Sequence, residues 1–253
     1  MALACVEPQG ATAIDLAVDL AKLWGVPLLQ DYTGKAGVKV LVSDSAIGLG
    51  FVDSKRGKPY YVDFLSATWK VRLASGLPKT HIFRRALGYK GEPLRVIDVT
   101  AGFGQDSLLA LSLGCEVVAV ERSSVVVALL RDGVTRALRE DESVRPLFER
   151  LSVVEADSMI FLKVAAPADV VYMDPMFDKP KKSAKSPKEM QLLQDLLGAP
   201  VTVEEEEKLF HAAFSHTQHR VVVKRPIKAK ALVRAPTHSY KGQSIRYDVY
   251  VKS

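Results

Sequence analysis

The spacing of apolar residues changes along the chain, and it changes near residue 91. Before that point TAIDLAVDLAKLW, residues 12–24, repeats apolar positions at helical spacing. Leu16, Leu20, Leu23 and Trp24 fall on one face and Asp15, Asp19 and Lys22 on the other, which predicts an amphipathic helix. VKVLVSDSAIGLGFVDSKRGKPYYVDFLS then alternates short β-rich runs with turn-like SDS and SKRGK, which predicts an antiparallel meander. ATWKVRLASG and HIFRRALGYKGE read as helical or loop segments. In YKGEP a glycine and a proline stand close together, and this is the best boundary.

Beyond it the rhythm is strand, helix, strand. LRVIDVT, CEVVAVE, LSVVEAD, ADVVYMD and RVVVKRP read as strands, with SIRYDVYV as the last. Helices are expected at DSLLALSLG, SSVVVALLRDGVTRALR and Glu204 to Gln218. ADVVYMD is almost wholly apolar, as expected when both faces of a sheet are covered. The pattern implies a doubly wound, Rossmann-like α/β sheet over residues 91–253, preceded by a small α+β region over residues 1–90.

Composition narrows the class. With 48% hydrophobic and 25% charged residues, the chain is expected to be globular with a sizeable core. The N-terminus lacks a basic leader and is interrupted by Asp15 and Asp19, so neither a signal peptide nor a membrane span is expected. Cys5 and Cys115 make no CxxC site, the histidines have no ligand spacing, and no metal is expected. A reducing, cytoplasmic location follows as an expectation. The net charge is only +6, but the charges are segregated. Residues 64–91 and 208–247 contain no acid, and residues 179–188 hold five lysines. Such clusters favour a polyanionic partner. Scattered solvated side chains are the alternative.

Candidate chemistry gathers at strand ends, where Asp98, Glu121 and Asp157 are expected to face a ligand at the carboxyl edge of the sheet. After Asp98 comes TAGFG and then a helix, so Gly102 and Gly104 let backbone approach a ligand beside free helix amides. A dinucleotide loop, a methyl-donor loop and a plain tight turn all remain open. Asp106 would repel a pyrophosphate but welcome an α-amino group, which favours S-adenosylmethionine. The alternative is a helix N-terminal acid stabilised by the dipole. Glu121 can accept both hydroxyls of a ribose, and Asp157 ends the third strand.

The second cluster is MDPMF. Asp174 and the turn fixed by Pro175 can hold an exocyclic amine of a nucleobase, and Phe177 can stack on the base. Lys181, Lys182 and Lys185 would then hold phosphates. Arg84, Arg85, Lys224, Arg225, Lys241 and Arg246 belong to the other basic clusters and are candidate RNA contacts. Lys224 and Arg225 could instead cap the sheet.

VIDVTAGFGQDS, VVAVERS, VEADS and YMDPMF resemble the motifs of class I S-adenosylmethionine-dependent methyltransferases. MDPMF is similar to their amino-methylating [DNS]-P-P-[FYW] motif, with Met176 for the second proline, and Thr100 stands where the general pattern has glycine. With VVVKRP and KGQSIRYDVY, the ordered set resembles the bacterial 16S rRNA guanine-N2 methyltransferases named for guanine 1516. The resemblance implies a class I methyltransferase sheet and S-adenosyl-L-methionine as methyl donor. Its donor-binding positions correspond to Gln105, Asp106, Glu121, Arg122, Asp157, Ser158 and Asp174. The implied partner is 16S ribosomal RNA or the small ribosomal subunit. The rival readings are an amino-methyltransferase for another RNA or DNA base, a nicotinamide-dependent oxidoreductase, and a ribosome-binding protein with a vestigial donor site.

Overall fold

The computed structural model describes residues 3–175, 188–198 and 201–252. Along the chain the strands are β1 (Leu3–Pro8), β2 (Val38–Val42), β3 (Ile47–Phe51), β4 (Arg95–Asp98), β5 (Glu116–Glu121), β6 (Leu151–Glu155), β7 (Ala168–Met173), β8 (Thr217–Pro226), β9 (His238–Lys241) and β10 (Ile245–Val251). The helices are α1 (Ile14–Trp24), α2 (Ala67–Ser75), α3 (Ile82–Leu87), α4 (Gln105–Leu111), α5 (Ser124–Glu140), α6 (Arg145–Phe148), α7 (Ser158–Val164), α8 (Lys188–Leu197) and α9 (Val203–His216). The described residues form two compact units: 3–63 with 123–140 and 188–198, and 64–122 with 141–175 and 201–252.

The first unit is built on a three-stranded sheet in the order β1-β2-β3. β2 and β3 pair antiparallel, as the turn at SDS predicts, and β1 adds to β2 in parallel. β1 is not among the strands expected from the sequence, because LACVEP lacks strict alternation. Helix α1 is amphipathic, but it does not bury the face expected from its leucines. Ala13, Ala17 and Ala21 are buried, whereas Leu16 is 46% and Leu23 72% exposed. An alanine stripe lets the helix backbone lie close on the sheet, and close approach outweighs the larger side chains elsewhere on the helix. The same device recurs on α5: a Cβ on Gly133 would stand 2.7 Å from Val62 Cγ1 and 2.9 Å from its carbonyl oxygen.

The second unit carries a seven-stranded sheet in the order β6-β5-β4-β7-β8-β10-β9. β4 to β8 are parallel, and β10 runs antiparallel between β8 and β9. This is the doubly wound sheet implied by the alternation, with an antiparallel strand pair at one edge. Its parallel strands are apolar because both faces are covered. On one face Ile97, Val120, Val171 and Val223 pack with Leu162 of α7 and Phe210 of α9. At roughly 1.5–3 kcal/mol per buried side chain, that layer is a main source of stability. On the other face Phe83 of α3 meets Tyr172 and Tyr247 edge-on, each at 5.5 Å between ring centroids.

Helix α9 begins at a reciprocal cap between Thr202 and Glu205 and stops at His216. Thr217 and Gln218, expected in that helix, belong to β8 instead. There the Thr217 hydroxyl donates to the Asp169 carbonyl at 3.0 Å, fixing the entry of the strand beside β7. Cys115 is fully buried, and burial pushes its thiol up. Among the described residues no helix is long and apolar enough to cross a membrane.

Candidate active site

Strand order reverses beside β4, where β5 lies on one side and β7 on the other. At such a switch point the loops after neighbouring strands part and leave a crevice at the carboxyl edge. Asp98, Glu121, Asp157 and Asp174 all stand at this edge, at or just past the ends of β4, β5, β6 and β7.

The loop after β4 is shaped by its glycines. Gly102 and Gly104 have φ of 51° and 75°, left-handed conformations that a side chain would strain. The Gly104 amide donates to Ala101 at 2.8 Å, and α4 starts at the next residue. Glu121 is 8% exposed, and its Oε2 accepts the Gly102 amide at 3.1 Å. The acid expected to bind a ribose therefore also pins the glycine loop. Arg122 and Gln105 are exposed beside this loop.

Asp98 was expected to face a ligand, and the structure corrects this. It is 2% exposed, and its carboxylate accepts the Ser107 hydroxyl at 2.7 Å and the Thr100 amide at 3.1 Å. Burial, against the pull of these bonds and helped by Asp106 and Asp174, pushes Asp98 up to about 7. Asp98 therefore braces the loop from beneath. Because its folded value lies above its unfolded one, the native state holds this proton between about pH 4 and 7. Stability from this group is complete below that window and is lost as pH rises through it. The displacement from 3.8 corresponds to roughly 4 kcal/mol at most. Asp98→Asn, whose amide can accept from Thr100 and donate to Ser107, should abolish this loss. Urea midpoints at pH 5 and pH 8 should differ less in the variant than in the wild type; an equal difference would exclude Asp98 as the source.

Asp157 accepts the Met159 and Ile160 amides at 2.8 and 3.1 Å and caps α7. Ser158 donates to the Val99 carbonyl at 2.7 Å and so joins the loops after β4 and β6.

The charged centre of the crevice lies between α4, β7 and β8. Lys224 Nζ donates to Asp106 Oδ2 and to Asp174 Oδ2, both at 2.8 Å. The Tyr172 hydroxyl donates to the same Asp106 oxygen at 2.8 Å. The Asp174 amide donates to Thr100 Oγ1 at 2.6 Å, so the loop after β4 positions the turn after β7. Thr100, noted only as a departure from glycine, thus has a structural purpose. Burial pushes Asp174 up to about 6, with Lys224 opposing the rise and Asp106 adding to it. Burial also works against the Lys224 charge, but Asp106 and Asp174 together hold the ammonium above the ordinary lysine range. Tyr172 was not singled out from sequence; its only signal was its place two residues before Asp174, on the same face of β7. Pro175 is buried beside this centre, and Phe177, Lys181, Lys182 and Lys185 lie outside the described residues.

The arginines and lysines expected to meet RNA divide into two groups. Arg246 is 8% exposed: Nε and Nη2 bond to Asp248 at 2.8 and 2.9 Å, and Nη1 to the Pro226 and Ile227 carbonyls at 3.0 and 2.9 Å. Arg225, 9% exposed, donates to the Lys230 carbonyl at 3.2 Å and pairs with Glu206 at 3.5 Å. With Lys224, these are internal ion pairs and not a phosphate-binding row, because burial demands a partner for each charge. Arg85 and Lys241 are exposed, and the Arg85 guanidinium lies 4.7 Å from the Tyr240 ring centroid. Arg84 is partly buried and donates to the Leu77 carbonyl at 2.8 Å.

Comparison with known proteins adds four findings. A family model for SAM-dependent methyltransferases matches residues 19–252. The chain is 35% identical over 238 residues to the Ribosomal RNA small subunit methyltransferase J of Coxiella burnetii (strain Dugway 5J108-111), covering 93% of this chain and 91% of the relative. It is 36% identical over 262 residues to the protein of the same name from Photobacterium profundum, covering 100% and 98%. Among solved structures it is similar to a SAM-dependent methyltransferase from Neisseria gonorrhoeae, with TM-score 0.72 and 27% identity over 97% of this chain and 95% of that one.

Proposed function

The chain belongs to the family of SAM-dependent methyltransferases, and on that premise we propose that it methylates the exocyclic N2 amine of a guanine in small-subunit (16S) ribosomal RNA. Ribosomal RNA as the substrate class is supported by the names of its relatives. The observation that carries the chemistry is Asp174, a partly exposed carboxylate fixed at the end of β7 beside a glycine loop of donor-binding type.

The residues at the crevice fit S-adenosylmethionine. The left-handed glycines keep the loop free of side chains, and Glu121 offers a carboxylate at the end of β5 for the ribose hydroxyls. Gln105, Arg122, Asp157 and Ser158 complete the proposed donor-binding set. Bound there, the donor supplies an electrophilic methyl group on a sulfonium. Asp106 is already engaged by Lys224 and Tyr172, so its proposed part in meeting the donor's α-amino group requires sharing that carboxylate.

An exocyclic amine is a poor nucleophile because its lone pair is delocalised into the ring. Asp174, accepting an N–H, favours a more tetrahedral nitrogen and stabilises the positive charge that develops there. Pro175 fixes the turn, and Phe177 is proposed to stack on the base. The nucleotide must be unstacked to reach the crevice, at a cost of a few kcal/mol that flanking contacts offset. Arg85 and Lys241 are the exposed basic residues of the described set best suited to those contacts, together with Lys181, Lys182 and Lys185. A chain division into an RNA-contacting region, 1–90, and a methyltransferase domain, 91–253, is part of the same proposal.

Guanine is chosen over adenine and cytosine by the resemblance alone, since all three carry the required amine. Mass spectrometry of ribosomal nucleosides from cells with and without the protein tests the assignment. Loss of N2-methylguanosine from the small subunit is expected. Loss of a methyladenosine or methylcytidine instead, with N2-methylguanosine unchanged, would refute the choice of base.

Protonation gives a second test. Asp174 works as an anion, and its value is about 6. Turnover should therefore fall about tenfold for each pH unit below roughly 6, as the fraction of anion falls. A kcat profile flat from pH 7 down to pH 5 would contradict this role.

A further inference from the structure

Three acids crowd the carboxyl edge of the sheet: Asp98 on β4, Asp106 on α4 and Asp174 after β7. Among the described residues one ammonium bridges two of them. Lys224 Nζ is 2.8 Å from Asp106 and 2.8 Å from Asp174, and the three side chains are only 23%, 14% and 28% exposed. Its surroundings hold it there. Lys224 is paired across the sheet with Tyr247 on β10 and borders β7, which carries Tyr172. Both phenols are kept neutral by burial and by the nearby acids. Phe83 of α3 closes the cluster with an uncharged wall against those two rings. An ammonium in this position could reach an RNA phosphate only by abandoning two short ion pairs.

We infer that Lys224 is the positioning residue of methyl transfer: by bridging Asp106 and Asp174 it keeps the Asp174 carboxylate anionic and fixed at the end of β7. This rests on the function proposed above. The step forms a nitrogen–carbon bond and breaks the carbon–sulfur bond, whose electron pair stays on sulfur. The nitrogen then sheds a proton, which an anionic Asp174 can accept and pass to water. Among the described residues, the groups facing Asp174 are Asp98 from β4, Asp106 from α4, Tyr172 from β7, Lys224 from β8 and Tyr247 from β10. Of these only Lys224 is a cation, so burial and the Asp106 carboxylate oppose the anion and one ammonium sustains it. Lys224 thereby acts on the acceptor amine through Asp174 and does not touch the nucleic acid.

The test uses Lys224→Met, Lys224→Arg and Asp106→Asn in the full chain. Carbon NMR of aspartate-labelled protein, without RNA or donor, follows the Asp174 carboxyl through pH, with Asp174→Asn assigning the signal. Lys224→Met should move its midpoint up by about one pH unit or more, the scale of a lost opposite charge. Lys224→Arg should keep it near the wild-type value. Asp106→Asn, which removes a like charge, should move it down. The acid limb of the kcat profile on small-subunit RNA should follow, with Lys224→Met losing about tenfold at pH 7 and recovering part of it at pH 9. An unmoved Asp174 midpoint in Lys224→Met would overturn the inference. So would a Lys224→Met protein with normal kcat whose RNA affinity had lost about one charge of salt dependence. If Lys224→Met fails to fold, an Asp106→Asn midpoint that is unmoved or raised overturns it equally. A wild-type protein that leaves small-subunit RNA unmethylated, with the NMR shifts as expected, would refute the proposed function and leave the Lys224–Asp174 coupling in place.

Discussion

Asp174→Ala should lower the turnover number for RNA methylation by about 100-fold or more, the scale of losing one preorganised electrostatic stabiliser. Donor affinity should be nearly unchanged. The geometry separates this effect from a folding defect. In the variant Lys224 keeps its 2.8 Å contact with Asp106, so no buried charge is orphaned. Asp106 in turn keeps the Tyr172 hydroxyl. The turn after β7 keeps its backbone bond to Thr100, which involves the amide of residue 174 and not its carboxylate. Asp174→Asn should retain more activity than Asp174→Ala, because an amide oxygen still accepts one hydrogen bond. Single-turnover rates with saturating donor and RNA, alongside thermal melts, check both variants. Turnover near the wild-type level in Asp174→Ala would remove Asp174 from the chemistry.

Glu121→Ala should instead raise the dissociation constant of S-adenosylmethionine about 10- to 150-fold, corresponding to the 1.5–3 kcal/mol of a hydrogen bond to a charged group. Two losses combine there. The carboxylate proposed to take the ribose hydroxyls is gone, and the Gly102 amide loses its 3.1 Å acceptor. The second loss loosens a loop that must hold left-handed φ at Gly102 and Gly104. Glu121→Gln, which restores an acceptor for Gly102, should recover part of the affinity. Calorimetry with the donor measures all three proteins. If donor affinity is unchanged while RNA affinity falls, the ribose assignment is wrong.

These predictions also mark how far the sequence could be read. The parallel strands were legible because strands covered on both faces are apolar along their whole length, as ADVVYMD and RVVVKRP are. The glycine loop was legible because left-handed backbone restricts residue 102 and residue 104 to glycine whatever surrounds them. The placing of Asp98, Glu121, Asp157 and Asp174 at one edge followed from strand–helix alternation, since parallel strands end on the same side. These are local or periodic constraints, set by the order of residues along the chain.

Other features depended on partners distant in the chain. Which face of α1 is buried depends on how closely its backbone lies against β1, and Ala17 and Ala21 gave no hydrophobic signal to compete with Leu16 and Leu23. Asp98 looked like a ligand-facing acid until Ser107 and Thr100 were found to use its carboxylate. Arg246 looked like an RNA contact, yet its guanidinium is spent on Asp248 and two carbonyls. Lys224 is the clearest case. Its partners Asp106 and Asp174 are 118 and 50 residues away, so charge composition placed it in a basic cluster while the fold placed it between two acids. By itself the sequence determined the parallel strands, the glycine loop and the edge where the acids gather. The tertiary structure alone decided which charges neutralise one another there, because ion pairing depends on distance in space, and folding brings into contact residues that the chain keeps far apart.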